Sequence, residues 1–293
     1  DYYYVDKTLL IRDLLIQRNK VTLFTRPRRF GKTLALSMLR TFFEKEIDTD
    51  GNVIDNSIYF TGTKISKEKD ICEKHMGQYP VIFLSLKSAK QPDFDTAYIQ
   101  LQKAIIQEFK RHSYILDDEK QILDKAEVQD YRAIMDRTAS AADYATALYF
   151  LSACLKKYHG QNVIVLIDEY DVPLENAHFH GFYDEMIGFI RSLFESALKT
   201  NDNLQFAVIT GCLRISRESI FTGLNNIKVI SVLDQSFAEY FGFTQNEVDK
   251  ILTSYEMESK KEEVKVWYDG YLFGNTEVYN PWSLLNYVAD YAA

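Results

Sequence analysis

Arg26-Pro27-Arg28-Arg29-Phe30-Gly31-Lys32-Thr33 lies between an apolar run, Val21 to Phe24, and a segment of helical pattern, Leu34 to Phe43. Strand, loop, Gly-Lys-Thr, helix is an order of elements that cradles phosphate. Gly31 lets the backbone approach an anion with no side chain in the way. The N–H groups of the loop and the positive end of the helix dipole then face that anion. Lys32 is expected to reach β- and γ-phosphates, and the Thr33 hydroxyl to hold Mg²⁺. Phe30 and Leu34 flank the tripeptide and join the nucleotide contact. Arg28 and Arg29 either touch phosphates or pair with carboxylates at the mouth; a structural or electrostatic role is favoured over catalysis. The position of the usual first glycine holds Arg26. A bare Gly-Lys-Thr also closes ordinary strand-to-helix turns, so the context carries the reading.

Working outward, five apolar runs read as buried strands: Val21–Phe24, Val81–Leu86, Val163–Ile167, Phe206–Thr210 and Lys228–Val232. Near-continuous apolar character suits strands covered on both faces, hence a parallel sheet. Helical faces lie between them: Tyr98, Leu101, Ile105, Phe109; Tyr144, Leu148, Leu151, Leu155, Tyr158; and Phe182, Met186, Phe189, Leu193, Leu198. Alternation of the two predicts a three-layer α/β sandwich with right-handed crossovers. The long gap before the second strand holds a turn at Asp48–Asn52 and reads as an insertion or an extra helix pair.

The run Val163–Ile167 ends in Asp168-Glu169. An acid at the carboxyl edge of such a strand lies where ligands bind in open α/β sheets. Asp168 is expected to bind Mg²⁺, directly or through water, and Glu169 to polarise the attacking water. A core strand ending in a polar turn is the plainer alternative. At the tip of the next strand Thr210 is placed to meet the γ-phosphate or the water. Arg214 or Arg217 could stabilise transition-state charge, in cis or on a neighbouring subunit; surface arginine on a loop is an equal reading. His178 and His180 lack an evident third metal ligand and read as loop histidines. The Glu-x-Lys pairs at Glu258 and Glu263 sit in a charge run, with no strand or partner acid to make a nuclease site.

The chain has 293 residues, 46% hydrophobic and 26% charged, with a net charge of −8. This is the composition of a globular protein rather than a nucleic-acid coat. Its apolar runs are too short for a membrane. Three widely spaced cysteines, none in a C-x-x-C pair, argue for a reducing cytoplasm. After Val232 the pattern changes. Ser236–Tyr255 reads as a helix with Ser236 and Glu239 as its capping box. A boundary near residue 235 therefore separates a phosphate-binding domain, 1–235, from a small, mostly helical lid or winged-helix-like region, 236–293. The chain opens without Met and stops at Tyr291-Ala292-Ala293, which leaves room for a longer parent protein.

Seven segments carry a resemblance: YVDKT at Tyr4–Thr8, RPRRFGKT at Arg26–Thr33, IDEYD at Ile167–Asp171, ITGCLR at Ile209–Arg214, SIFTGLNN at Ser219–Asn226, WYDGY at Trp267–Tyr271 and YNPW at Tyr279–Trp282. In that order, across nearly the whole chain, they resemble the bacterial AAA-ATPase-like proteins that commonly carry a PD-(D/E)XK nuclease-like domain at the C-terminus. The resemblance implies a P-loop NTPase sandwich with a mainly parallel five-stranded sheet, in the branch with a catalytic Glu after the Walker B Asp. It implies a P-loop without the first glycine, and ATP with Mg²⁺ as ligands. It also implies a nuclease-like part beyond Ala293, with DNA as a partner through it. Oligomeric state is left open. Val5–Thr8 is expected near the nucleotide base. Two readings of function fit these features: an ATPase whose lid reports nucleotide state to an effector domain, or a module that binds ATP or ADP with negligible turnover.

Overall fold

A computed structural model describes residues 3–48, 51–116, 121–212, 220–221, 226–268 and 270–292. All five expected strands form: β1 Val21–Thr25, β2 Val81–Ser85, β3 Val163–Asp168, β4 Leu204–Gly211 and β5 Ile227–Ile230. They make one parallel sheet in the order β2-β3-β4-β1-β5. Alternation within the apolar runs sends side chains to opposite faces. Val21, Leu23, Val165, Ile167 and Ile209 face α4 (Phe94–Arg111), α7 (Ala147–His159) and α9 (Tyr183–Leu198). Phe24, Ile164, Leu166, Val208 and Ile230 face α1 (Leu9–Gln17) and α2 (Lys32–Phe43). A helix on each face explains why the strands read as unbroken apolar runs.

Register decides what meets at the carboxyl edge. Phe24 pairs with Thr210, Thr25 with Gly211, and Ser85 with Asp168. Backbone bonds carry the ladder past the strand ends: Arg26 N–H to Gly211 O, Tyr170 N–H to Thr210 O and Leu86 N–H to Asp168 O, each 3.0 Å. The tips of four strands are thereby fixed against one another.

The remaining helices are α3 (Lys69–His75), α5 (Lys125–Met135), α6 (Ala141–Ala145) and α8 (Val172–His180). The expected helical face from Tyr144 to Tyr158 is split between α6 and α7 at Thr146, whose φ/ψ of −113/8 leaves the helix. His178 and His180 end α8 rather than lying on a loop or strand.

The C-terminal region departs from expectation at its start. The helix expected from Ser236 begins at Gln245 (α10, Gln245–Ser254), and its capping box is Thr244 with Glu247. Gly242 explains the delay. Its φ is +88°, and a Cβ there would meet the Phe30 ring at 2.9 Å. The chain turns at this glycine, and β6 (Phe243–Thr244) pairs with β8 (Thr276–Tyr279), which also pairs with β7 (Tyr271–Phe273). Helices α11 (Lys261–Tyr268) and α12 (Pro281–Ala292) complete the region. It has a small apolar cluster of its own, around Ile251, Val264 and Leu284. Phe237, Phe241, Phe273 and Val278, however, belong to the core beneath the sheet.

A buried polar belt ties α4 to β2 and α2. Arg111 pairs with Glu44 and with Glu108 (2.6 Å), while Glu108 accepts the Phe83 N–H at 2.9 Å. His112 Nε2 meets Val81 O at 3.0 Å, and Tyr114 OH meets His159 Nε2 at 2.8 Å. Burial drives the His159 imidazole down to about 4, and burial, then Arg111, drives His112 well below its usual range. Both are neutral in the fold, whereas the unfolded chain protonates them near 6.5. The contribution of these two groups to stability is therefore constant above pH 6.5 and falls below it, by up to about 1.4 kcal/mol per pH unit for each histidine. Urea unfolding from pH 8 to 4.5 should show this profile, and His159→Gln should remove part of the slope.

Candidate functional site

The loop after β1 brings a set of side chains to the carboxyl edge of the sheet. Gly31 takes a φ of +80°, a left-handed conformation open to glycine, and starts α2. Lys32 is buried and curls back. Its Nζ donates to Arg26 O at 2.9 Å and Pro27 O at 2.8 Å, and lies 3.4 Å from Cys212 Sγ. The Thr33 hydroxyl donates to Asp168 Oδ2 at 2.7 Å, and the Thr210 hydroxyl to Asp168 Oδ1 at 2.5 Å. One buried carboxylate thus bridges the phosphate loop and β4.

Glu169 comes next, with a φ of +54°, uncommon for a residue with a side chain. Burial, then the charge of Asp168, pushes its carboxyl up from the ordinary range. It lines a cavity of about 440 Å³ with Arg28, Arg29, Gly31, Lys32, Thr33 and Leu34. A neighbouring cavity of about 460 Å³ shares Arg28 and Glu169 and adds Lys87, Lys90 and Cys212. A third, of about 510 Å³, shares Leu34 and adds Tyr4, Ser37, Met38 and Tyr59.

Several expected residues sit differently. The Phe30 side chain is buried against Tyr271 and Phe273, with ring centroids at 4.8 and 5.2 Å, so only its backbone borders the loop. Arg28 takes the carboxylate alternative, pairing with Glu175 at 3.2 Å, and lines the cavity of Lys32. Arg29 lies over Trp282. In the Val5–Thr8 segment Lys7 pairs with Glu247 at 2.5 Å, and Asp6 accepts the Lys64 N–H at 2.6 Å; Tyr4, just before it, lines the third cavity. Arg214 and Arg217 lie outside the described residues. Cys212, Lys87 and Trp282 belong to the site's surroundings; Cys212 and Trp282 lie in the ITGCLR and YNPW segments, which gave them no role, and no motif announces Lys87.

Arg26 is the residue whose role the sequence did not disclose. It is fully buried, with its guanidinium 4.8 Å from the Phe273 ring centre and 5.4 Å from that of Phe241. Nη1 donates to Thr25 O and Ile230 O at 3.2 Å, joining the tips of β1 and β5. Among the described residues Nε and Nη2 meet no acceptor. Burial lowers its pKa to about 10, against the pull of Asp234. A glycine at this position would leave that volume empty.

The donor set suits Mg²⁺, which retains water and takes few protein ligands. Thr33 and Asp168 offer one hydroxyl and one carboxylate in hydrogen-bond contact. Among the described residues no group of three or more His, Cys, Asp or Glu is placed to hold a metal by itself. No described helix is long and apolar enough to cross a membrane.

A parallel five-stranded sheet with Gly-Lys-Thr after β1 and an acid pair after β3 has the form of a P-loop NTPase sandwich. The chain belongs to the AAA-ATPase-like family, described as "Predicted AAA-ATPase", whose match covers residues 1–221. It is also 30% identical over 287 residues to an "Uncharacterized protein in vnfD 5'region" of Azotobacter chroococcum mcd 1. The alignment takes in 97% of this chain and 48% of the relative, so the chain spans about half the length of the curated relative it matches.

The burial of Arg26 leads to a prediction against the general motif. Arg26→Gly, which restores the usual glycine, should destabilise the chain by about 2–4 kcal/mol through the cavity left behind. Arg26→Met fills the space without a buried charge and should stay within about 1 kcal/mol of the parent or exceed it. Urea unfolding of the two variants checks the order.

Proposed function

We propose that the chain binds Mg-ATP across the carboxyl edge of the sheet and hydrolyses it. The observation that carries this reading is the convergence of Thr33 and Thr210 on Asp168, beside Lys32 and Glu169 at one cavity. Lys32 exchanges its loop carbonyls for the β- and γ-phosphates, since a charged phosphate is the stronger acceptor. Backbone N–H groups from Gly31 to Leu34 add the helix-start contribution. Mg²⁺ held by Thr33 and Asp168 would neutralise charge on the phosphate oxygens. Thr210 orients Asp168. Glu169, its carboxyl raised toward operating pH, accepts the proton of the attacking water. Tyr4 and Leu34 offer apolar surface to the base. Arg214 remains the candidate for stabilising transition-state charge.

Coupling of nucleotide state to the region after residue 235, and through it to an effector, is part of this proposal. A nuclease-like effector acting on DNA rests on family resemblance alone. A cytoplasmic setting suits the three free cysteines.

The test pairs calorimetry of Mg-ATP binding with steady-state phosphate release, on the chain, Lys32→Ala and Glu169→Gln. Lys32→Ala should weaken binding at least about tenfold, the loss of one charge-assisted contact. Glu169→Gln should keep binding and slow release about 10²- to 10⁴-fold, the usual worth of a general base. Equal release from all three would sink the hydrolysis reading. Binding without release in the parent would assign a nucleotide-gated module instead.

A further inference from the structure

Three side chains of the phosphate loop reach the C-terminal region, and they differ in exposure; from the other side, Asn280 Nδ2 donates to Arg28 O at 3.4 Å. Arg26 and Phe30 are buried among Phe241, Tyr271 and Phe273. Arg29 is exposed, and its guanidinium lies 3.7 Å from the ring centre of Trp282, in the first turn of α12. Trp282 is itself 51% exposed. Among the described residues no carboxylate forms an ion pair with Arg29. Its backbone is left-handed, with a φ of +70°, so the loop rather than local preference holds it there. The same residue lines the cavity of Gly31, Lys32 and Thr33.

One guanidinium thus borders an indole face and a cavity that it lines with two further cations, Arg28 and Lys32, and the carboxylate of Glu169. A planar fork binds phosphate through parallel charge-assisted hydrogen bonds. An exposed cation–π contact is weaker. We propose that Arg29 has these two alternative partners and that nucleotide moves it from the first to the second. Phosphate capture then releases the Trp282 face and loosens the start of α12, while Arg26 and Phe30 keep the region attached. The proposal rests on the nucleotide reading above and assigns the residue through which the C-terminal region senses the loop. Phosphate can shift this equilibrium because it contacts only the unstacked Arg29. The coupling is reciprocal, so removing the indole should favour nucleotide.

Trp282 is one of two tryptophans, and Trp267, the other, is 74% exposed and replaceable by Phe. Trp267→Phe makes Trp282 the sole indole reporter. Its emission should change on titration with Mg-ADP or Mg-ATP, along the curve that calorimetry gives for binding. With Arg29→Ala added, emission should start near the bound value and stay there while calorimetry still registers binding. Trp282→Leu should tighten nucleotide about two- to fivefold, the worth of an exposed cation–π contact. Calorimetric binding with flat Trp282 emission overturns the proposal and leaves nucleotide binding standing. So does an unchanged emission response in Arg29→Ala. Absence of calorimetric binding to the folded parent chain removes the nucleotide reading and this proposal together.

Discussion

The carboxylate of Asp168 accepts hydrogen bonds from hydroxyls on two other elements, Thr33 at the start of α2 and Thr210 at the end of β4. A buried carboxylate is costly unless its oxygens are satisfied, and here both are. The requirement runs in both directions. The oxygens of Asp168 are satisfied because the hydroxyls donate to it, and the hydroxyls are aimed because Asp168 sits between them. The phosphate loop is therefore positioned by the strand two places away in the sheet, through the intervening β4. Any disturbance of β3 register would be felt at Thr33.

The loop has a second set of anchors. In place of a glycine, Arg26 projects a full side chain into the aromatic cluster of Phe241 and Phe273, and its Nη1 bridges the carbonyls of β1 and β5. Phe30 enters the same cluster from the other end of the loop. Gly242 permits this by leaving room for the Phe30 ring. A phosphate loop held this way exchanges the freedom of glycine for attachment to the C-terminal region. That attachment is tight where it is buried and exchangeable at the exposed Arg29–Trp282 contact. Lys7 adds a further tie from the amino-terminal segment to α10 through Glu247.

The chain belongs to the AAA-ATPase-like family over residues 1–221, and it spans about half the length of the relative it matches. The anchors of the loop meet Phe241, Tyr271, Phe273 and Trp282, which lie beyond the family match at 1–221. Lys32 and Thr33 thus follow Arg29 and Phe30 along one loop, while Asp168, Glu169 and Thr210 reach the same edge from β3 and β4.

The amino-acid sequence by itself determined the sheet, its five strands and the loop at Arg26–Thr33, because these depend on local signals. Unbroken apolar runs mark strands covered on both faces, and Gly-Lys-Thr between strand and helix needs no distant partner to be read. It also put Asp168, Glu169 and Thr210 at strand ends, from run length alone. Ser236 misled, since Ser-x-x-Glu repeats at Thr244-x-x-Glu247 and only the turn at Gly242 selects the second. Tertiary structure alone decided that Asp168 joins Thr33 to Thr210, that Phe30 turns into the core, and that Arg28 takes Glu175 while Arg29 takes Trp282. It alone decided the role of Arg26. A cation's partners some 200 residues away leave no periodicity or spacing in the sequence, because stacking on an aromatic ring is settled by the packing of surfaces brought together only in the fold.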